Sequence, residues 1–226
     1  VESVFGSSNK GEITMNYARA VAQALLSIKA VGFVVENPIT FKSGIVSPVY
    51  IDNRRLPFHP DNWRVIIQGF EQLIEEKNLS FDVIAGIETA GIPHSATLGY
   101  SLDMPSVFVR KSAKDHGTKK MIEGGEVKGK TVLLLEDHIT TGGSSLAGVN
   151  ALRNAGATVH DCIAITSYGF EEAEKGFLAT GVTLHTLTSF NRILPLAVEG
   201  HLISEHEKES VESWLADPWE WAERQK

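Results

Sequence analysis

The stretch Thr131-Val132-Leu133-Leu134-Leu135-Glu136-Asp137-His138-Ile139-Thr140-Thr141-Gly142-Gly143-Ser144 decides how the chain is read. Residues Thr131 to Leu135 form an apolar run without polar alternation. A strand with no polar face has to be covered on both sides, which is the condition of a central strand in a parallel sheet. Two carboxylates, Glu136 and Asp137, follow it directly, then a turn rich in hydroxyls and glycine, then a helical stretch from Gly143 to Asn154. In open α/β sheets ligands sit beyond the carboxyl ends of the strands. Glycines let the backbone approach a ligand closely, and a helix N-terminus offers free N–H groups and positive partial charge. With the hydroxyls of Thr140, Thr141 and Ser144, the turn makes a socket for a phosphate monoester. The acids upstream can accept from sugar hydroxyls or help position Mg²⁺. A phosphate and a diol held side by side describe ribose 5-phosphate. No Gly-Lys-Ser/Thr follows, so the turn is not a Walker loop, and it is not the dinucleotide fingerprint either. The plain alternative is a capped helix after a strand, with both acids merely solvated.

Outward from this centre, strands alternate with helices. Asp82 to Gly86, Pro105 to Val109 and Val159 to Ile165 read as strands, and helical stretches follow Gly91-Ile92-Pro93 and Gly143. This order predicts an α/β fold around a central, mainly parallel sheet flanked by helices. Upstream, apolar residues from Ile13 to Ala30 recur at spacings of three and four, predicting a helix that Gly32 ends. Strand-like pieces follow at 33–35 and 39–41, and Asp61 is read as the N-cap of a helix running to about Lys77. The segment after about Thr188 reads as helical, with Trp214, Trp219 and Trp221 as packing residues. Residues Lys111 to Lys130 show no assignable apolar face, and structureless loops of that length are often functional lids.

With 226 residues the chain suits a single domain that can bury a substantial core without staples. A net charge of −7 and a pI near 5.6 argue against nucleic acid or an anionic membrane as the main partner. No apolar run reaches spanning length, and the first residues lack a signal pattern. The lone Cys162 allows no intrachain disulfide, which fits a reducing cytoplasm, and its strand context makes it a small buried hydrophobe rather than a nucleophile. His160, His185, His201 and His206 show no metal-ligand spacing, and direct protein ligation of a metal is not predicted.

The densest basic cluster of this acidic chain is Arg110-Lys111-Ser112-Ala113-Lys114-Asp115-His116-Gly117, followed by Lys119, Lys120 and Lys128. A solvated surface loop is one reading. A lid that brings cations to the oxygens of a departing diphosphate, and excludes water as it closes, is the other. Phe41-Lys42-Ser43-Gly44-Ile45-Val46-Ser47-Pro48-Val49-Tyr50-Ile51-Asp52-Asn53-Arg54 reads as a strand, a glycine turn and a second strand that Pro48 marks as an edge. By itself it is a hairpin in which Lys42 could reach an anion and Tyr50 could stack on a planar base.

The string from the buried strand through Thr140-Thr141-Gly142-Gly143-Ser144 resembles the ribose-phosphate signature of the type I phosphoribosyltransferases. The lid, the hood string from Phe41 to Arg54 and the turn Gly86-Ile87-Glu88-Thr89-Ala90-Gly91-Ile92-Pro93 resemble those of the orotate phosphoribosyltransferases, and four motifs occur in the family order between about Ile13 and Trp219. The resemblance implies the type I fold in one domain. A small hood spans about 13–58, with a helical extension over about 189–226 and a flexible lid over about 110–128. It implies transfer of phosphoribose from 5-phosphoribosyl diphosphate to orotate with Mg²⁺ in the cytoplasm, in a homodimer whose lid acts across the interface. Carried over, Arg110, Lys111, Lys114 and His116 meet diphosphate, Glu136 and Asp137 meet the ribose, Thr140, Thr141, Gly142, Gly143 and Ser144 hold the 5′-phosphate, and Lys42, Tyr50, Ile51 and Thr140 meet orotate. Lys114, His116 and Asp137 are the expected catalytic residues. Ile51 departs from relatives with a second aromatic there, and Ala90 stands where some members carry Lys. Ile165-Thr166-Ser167-Tyr168-Gly169-Phe170 lacks the Arg found in many members, as in the Gram-positive branch. Transfer to another nucleobase, or a sensor that retains the socket without turnover, are the alternatives.

Overall fold

The computed structural model describes residues 10–111 and 121–224. In chain order the elements are α1 (Lys10–Ser27), β1 (Val31–Phe33), β2 (Ile39–Thr40), β3 (Val46–Ser47), β4 (Val49–Ile51), a 3-10 helix (Asn53–Phe58), α2 (Pro60–Lys77), β5 (Val83–Ile87), α3 (Gly91–Ser101), β6 (Ser106–Val109) and β7 (Ile122–Glu123). They continue with β8 (Val132–Ile139), α4 (Gly143–Asn154), β9 (Asp161–Ser167), α5 (Glu171–Thr180), β10 (Thr183–Ser189), α6 (Phe190–Glu199), α7 (Glu205–Ala216) and α8 (Trp221–Arg224). The main sheet has six strands in the order β10-β9-β8-β5-β6-β7, parallel except for β7, which runs antiparallel to β6.

The strand on which the reading turned is indeed central, with β5 on one side and β9 on the other. Its side chains divide between two cores. Leu133 and Leu135 join α1, α2, α6 and α7 in one, while Val132 and Leu134 join Val149 and Leu152 of α4 and Phe177 of α5 in the other. Cys162, fully buried in β9, lies in the second core, in keeping with its reading as a small hydrophobe. The strand extends further than expected and carries Glu136, Asp137 and His138 in its last turn of pleat.

Residues 31–51 form two separate antiparallel ribbons, β1–β4 and β2–β3, rather than one hairpin. Pro48 divides β3 from β4, because it has no N–H to give to a ladder, and its carbonyl instead accepts from Val34 N at 2.6 Å. Gly32 does not end α1, which stops at Ser27. It sits in β1 opposite Tyr50, where a Cβ would fall 2.0 Å from the phenol ring. Asp61 is not the N-cap of α2. His59 holds that position with Pro60 at N1, and Asp61 lies in the first turn, where its charge suits the helix dipole. The stretch read as a structureless loop up to Lys130 contains β7, paired with β6, and Val127, buried in the second core. The C-terminal helices pack on the ribbons: the fully buried Trp214 donates from Nε1 to Val46 O at 2.9 Å, and Trp221 is buried while Trp219 is exposed.

Candidate active site

The carboxyl end of β8 opens into a cleft of about 230 Å³. Glu136, Asp137, His138 and Ile139 form its floor, Thr140 to Ser145 one wall, and Glu88, Thr89, Ala90 and Lys111 the other. The turn wall is shaped by Gly142, which is the N-cap of α4 with φ +81°, a left-handed conformation that L side chains rarely adopt. Being glycine, it has no side chain to cap the helix, so the first N–H groups of α4 stay available to an anion. On the opposite wall Glu88 Oε2 accepts from Lys111 N at 3.0 Å, which ties the turn after β5 to the chain leaving β6.

The floor is electrostatically expensive. Burial, then the neighbouring Asp137 charge, pushes Glu136 well above the usual carboxylate range, and Lys111 only partly offsets this. Burial also raises Asp137, against the opposing influence of Glu136 and Arg54. Glu136 is therefore the member that keeps a proton longer. The buried Glu136 and half-buried Asp137 beside an uncapped helix N-terminus make the cleft acidic on the sugar side and positive on the phosphate side.

His138 went unassigned from sequence and lines the same floor. Burial lowers its pKa to about 3, so it is neutral at working pH and carries no charge into the cleft. Nδ1 lies 2.8 Å from Thr166 Oγ1 on β9, and the ring stands edge-on to Tyr168 at 4.3 Å. Tyr168 in turn stacks with Phe41 and Phe170 and meets Trp214 edge-on, joining the floor to the ribbons through aromatic contacts.

Of the residues singled out from sequence, Lys111, Glu136, Asp137, Thr140, Thr141, Gly142, Gly143 and Ser144 come together in this cleft. Arg110 does not line it and pairs with Glu123 of β7 at 3.6 Å. Lys42, Tyr50 and Ile51 lie on or beside the ribbons. Lys42 is exposed, Tyr50 covers Gly32, and Ile51 packs in part against the main core. Lys114 and His116 lie outside the described residues. A larger groove of about 790 Å³ runs along β10 between α5 and α7, but its charged lining residues are Glu174 and Glu212, which suit no phosphate.

The chain matches the phosphoribosyl transferase domain over residues 59–183, which takes in every residue lining the cleft, so the class of protein is a phosphoribosyltransferase. It is 44% identical to an orotate phosphoribosyltransferase of Coxiella burnetii over 92% of this chain and 99% of that one, and 40% identical to one of Bacillus caldolyticus over 89% and 97%. Among solved structures, an Aeropyrum pernix orotate phosphoribosyltransferase superposes with a TM-score of 0.70 at 29% identity, covering 80% of this chain and 99% of that one. A Leishmania donovani UMP synthase superposes with a TM-score of 0.76 at 27% identity over 88% of this chain and 42% of that one. This chain belongs to the orotate phosphoribosyltransferase family.

Proposed function

We propose that the chain transfers the 5-phosphoribosyl group from 5-phosphoribosyl diphosphate to N1 of orotate, giving orotidine 5′-monophosphate and diphosphate in the route to UMP. The observation that carries this reading is the juxtaposition of the Glu136–Asp137 pair with the uncapped start of α4 in one cleft. The Thr140–Ser144 turn and the α4 N–H groups bind the 5′-phosphate, and the two carboxylates accept from the ribose hydroxyls and set the sugar's orientation. Lys111 and the wall from Glu88 to Ala90 face the diphosphate. The bond from C1′ to the diphosphate oxygen breaks with its electron pair leaving on that oxygen, while orotate N1 forms the new bond to C1′ and gives up its proton to the departing diphosphate. Lys114 and His116 of the lid, with Arg110 at its root, stabilise the charge that grows on the departing oxygens. Lys42 and Tyr50 of the ribbons, with Ile51 beside them and Thr140 at its polar edge, receive the base.

Mg²⁺ is the cofactor of this proposal. Among the described residues no three acidic, His or Cys side chains converge on one point, so Glu136 and Asp137 would hold the ion only in part, with water and substrate oxygens completing its shell; the raised Glu136 marks where a cation would relieve repulsion. When bound, the ion neutralises diphosphate charge. We place the enzyme in the cytoplasm as a homodimer whose lid reaches the partner's cleft, without nucleic acid or membrane as partner. Among the described residues no helix is long and apolar enough to cross a membrane.

The test is orotate consumption followed by ultraviolet absorbance, with 5-phosphoribosyl diphosphate, with and without Mg²⁺. Magnesium-dependent loss of orotate is expected, and Lys114→Ala should lower kcat by about a hundredfold or more at unchanged thermal midpoint. No loss of orotate in a folded sample that binds 5-phosphoribosyl diphosphate would overturn the choice of acceptor.

A further inference from the structure

Orotate is itself an anion, and in the reaction proposed above its carboxylate has to be held near a floor that already carries Glu136 and Asp137. Unpaired, it would add a further negative charge to a partly dehydrated space. Among the described residues, cations act on the acid pair from two sides. Lys111 does so from the diphosphate wall, where it lowers Glu136. Arg54 does so from the ribbon side, where it lowers Asp137.

The geometry around Arg54 is built rather than incidental. It stands in the 3-10 helix that directly follows β4, three residues beyond Ile51 and four beyond Tyr50. The start of that helix is tied to the floor, because the buried Asn53 donates from Nδ2 to Asp137 O at 2.9 Å. Asp52 Oδ1 accepts from Arg54 Nε at 2.6 Å, which fixes the guanidinium at its base. Among the described residues no further hydrogen bond engages the Nη groups, and the side chain keeps 69% of its exposure. A guanidinium oriented through Nε, with its Nη pair open, has the fork that receives a carboxylate through two parallel hydrogen bonds. Two other described cations are less suited: Arg110 is paired with Glu123, and Lys42 is an exposed point charge in the turn between β2 and β3.

We propose that Arg54 holds the carboxylate of the acceptor, and thereby selects orotate over nucleobases that lack one. Asp52 and Asn53 are its positioning residues, one orienting the guanidinium and the other fastening its helix to the end of β8. The proposal rests on orotate being the acceptor, so the experiment begins with the wild-type enzyme and its turnover of orotate. Absence of that turnover would overturn the acceptor reading and this inference together. With turnover established, KM for orotate and KM for 5-phosphoribosyl diphosphate are measured separately in Arg54→Gln and Arg54→Lys, with thermal midpoints as the control for folding. In Arg54→Gln, KM for orotate should rise about ten- to a hundredfold, the range for losing a hydrogen bond between charged groups, while KM for 5-phosphoribosyl diphosphate holds. Arg54→Lys should restore part of the loss, since charge remains while the fork is gone. An unchanged KM for orotate in Arg54→Gln, or an equal rise in both KM values, would overturn the assignment to Arg54 and leave the acceptor reading intact.

Discussion

The two sides of the cleft are made of different material. The phosphate side is the end of a strand with hydrogen-bonded neighbours on both flanks, running into a helix of three turns. Its binding groups are backbone N–H groups and short side chains placed consecutively from Glu136 to Ser144. The base side is two ribbons of two- and three-residue strands, propped from outside by Trp214 and joined to the floor through Phe41, Tyr168 and Asn53. Isolated two-stranded pieces are marginal by themselves, so their shape is borrowed from whatever packs against them. A side that grips an invariant sugar phosphate can be rigid, whereas the side that meets the acceptor is held by a few separable contacts.

The largest effect should come from the rigid side. The Glu136 and Asp137 carboxyls are raised by burial, so in the unliganded protein their ionised forms cost stability at neutral pH, and this cost fades as pH falls toward the ordinary carboxylate range. Glu136→Gln should therefore raise the thermal midpoint by about 2–4 °C per kcal/mol recovered. The same change, and more so Asp137→Asn, should lower kcat/KM for 5-phosphoribosyl diphosphate by about a hundredfold through weaker bonds to the ribose. Scanning calorimetry beside steady-state kinetics reads both. A variant that loses stability along with activity would mean the acids serve the fold, and the contrast with the ribbons would be lost.

How much of this was legible in the sequence follows the same division. The unalternating run at Thr131 to Leu135 announced a strand buried on two faces, and α4 begins and ends where the glycine turn and Asn154 placed it. The phosphate side was legible because its parts are adjacent in the chain. Strand β10 and helix α5 were not read, because Thr183-Leu184-His185-Thr186-Leu187-Thr188-Ser189 is an edge strand with polar residues on it and no continuous apolar run. The two-residue strand β7 is too short to leave a pattern in a lysine- and glycine-rich stretch. His138 escaped notice because the burial that keeps it neutral, against the opposing hydrogen bond of Thr166, comes from β9 and Tyr168, brought to it only by the pairing of β8 with β9. Tyr50 shows the limit on the base side: which way the ring lies is decided by Gly32 across the ribbon, a partner that no local spacing reveals.

A second, intermediate effect tests what keeps the rigid side rigid. Helix α3 approaches β8 so closely that a Cβ on Gly91 would lie 2.7 Å from Leu135 O. It is fastened to α2 through the buried His94, whose Nδ1 accepts from Trp63 Nε1 at 2.9 Å. Burial lowers the pKa of His94 to about 4. Below about pH 6.5 the unfolded chain takes up a proton that the folded chain refuses, so stability falls as pH drops from about 6.5 to 4, by about 3 kcal/mol over the whole window. Glu136 runs the other way, since its folded form takes up a proton first, so the total curve does not isolate His94. The difference between wild type and His94→Gln does, because Gln retains an acceptor for Trp63 and does not titrate. Urea midpoints of the two should converge as pH falls toward 4. Parallel curves would show that α3 is held without regard to this imidazole.

The smallest effect should come from the prop under the ribbons. Trp214 is fully buried, meets Phe41, Tyr168 and Phe170 edge-on, and spends its one polar group on Val46 O in β3. Trp214→Phe retains an aromatic ring but removes the donor, leaving the Val46 carbonyl without that partner and a gap where the larger ring was. The cost in stability should be about 1–3 kcal/mol, the usual range for a lost buried hydrogen bond with some lost packing. Because β3 carries no group of the phosphate socket, the kinetic consequence should be unequal: KM for orotate rises several-fold, of the order of one lost hydrogen bond's worth of order in the ribbon, while KM for 5-phosphoribosyl diphosphate stays near its wild-type value. Equal changes in both constants would mean that the ribbons and the end of β8 move as one body, with Asn53 rather than Trp214 setting the position of the base side.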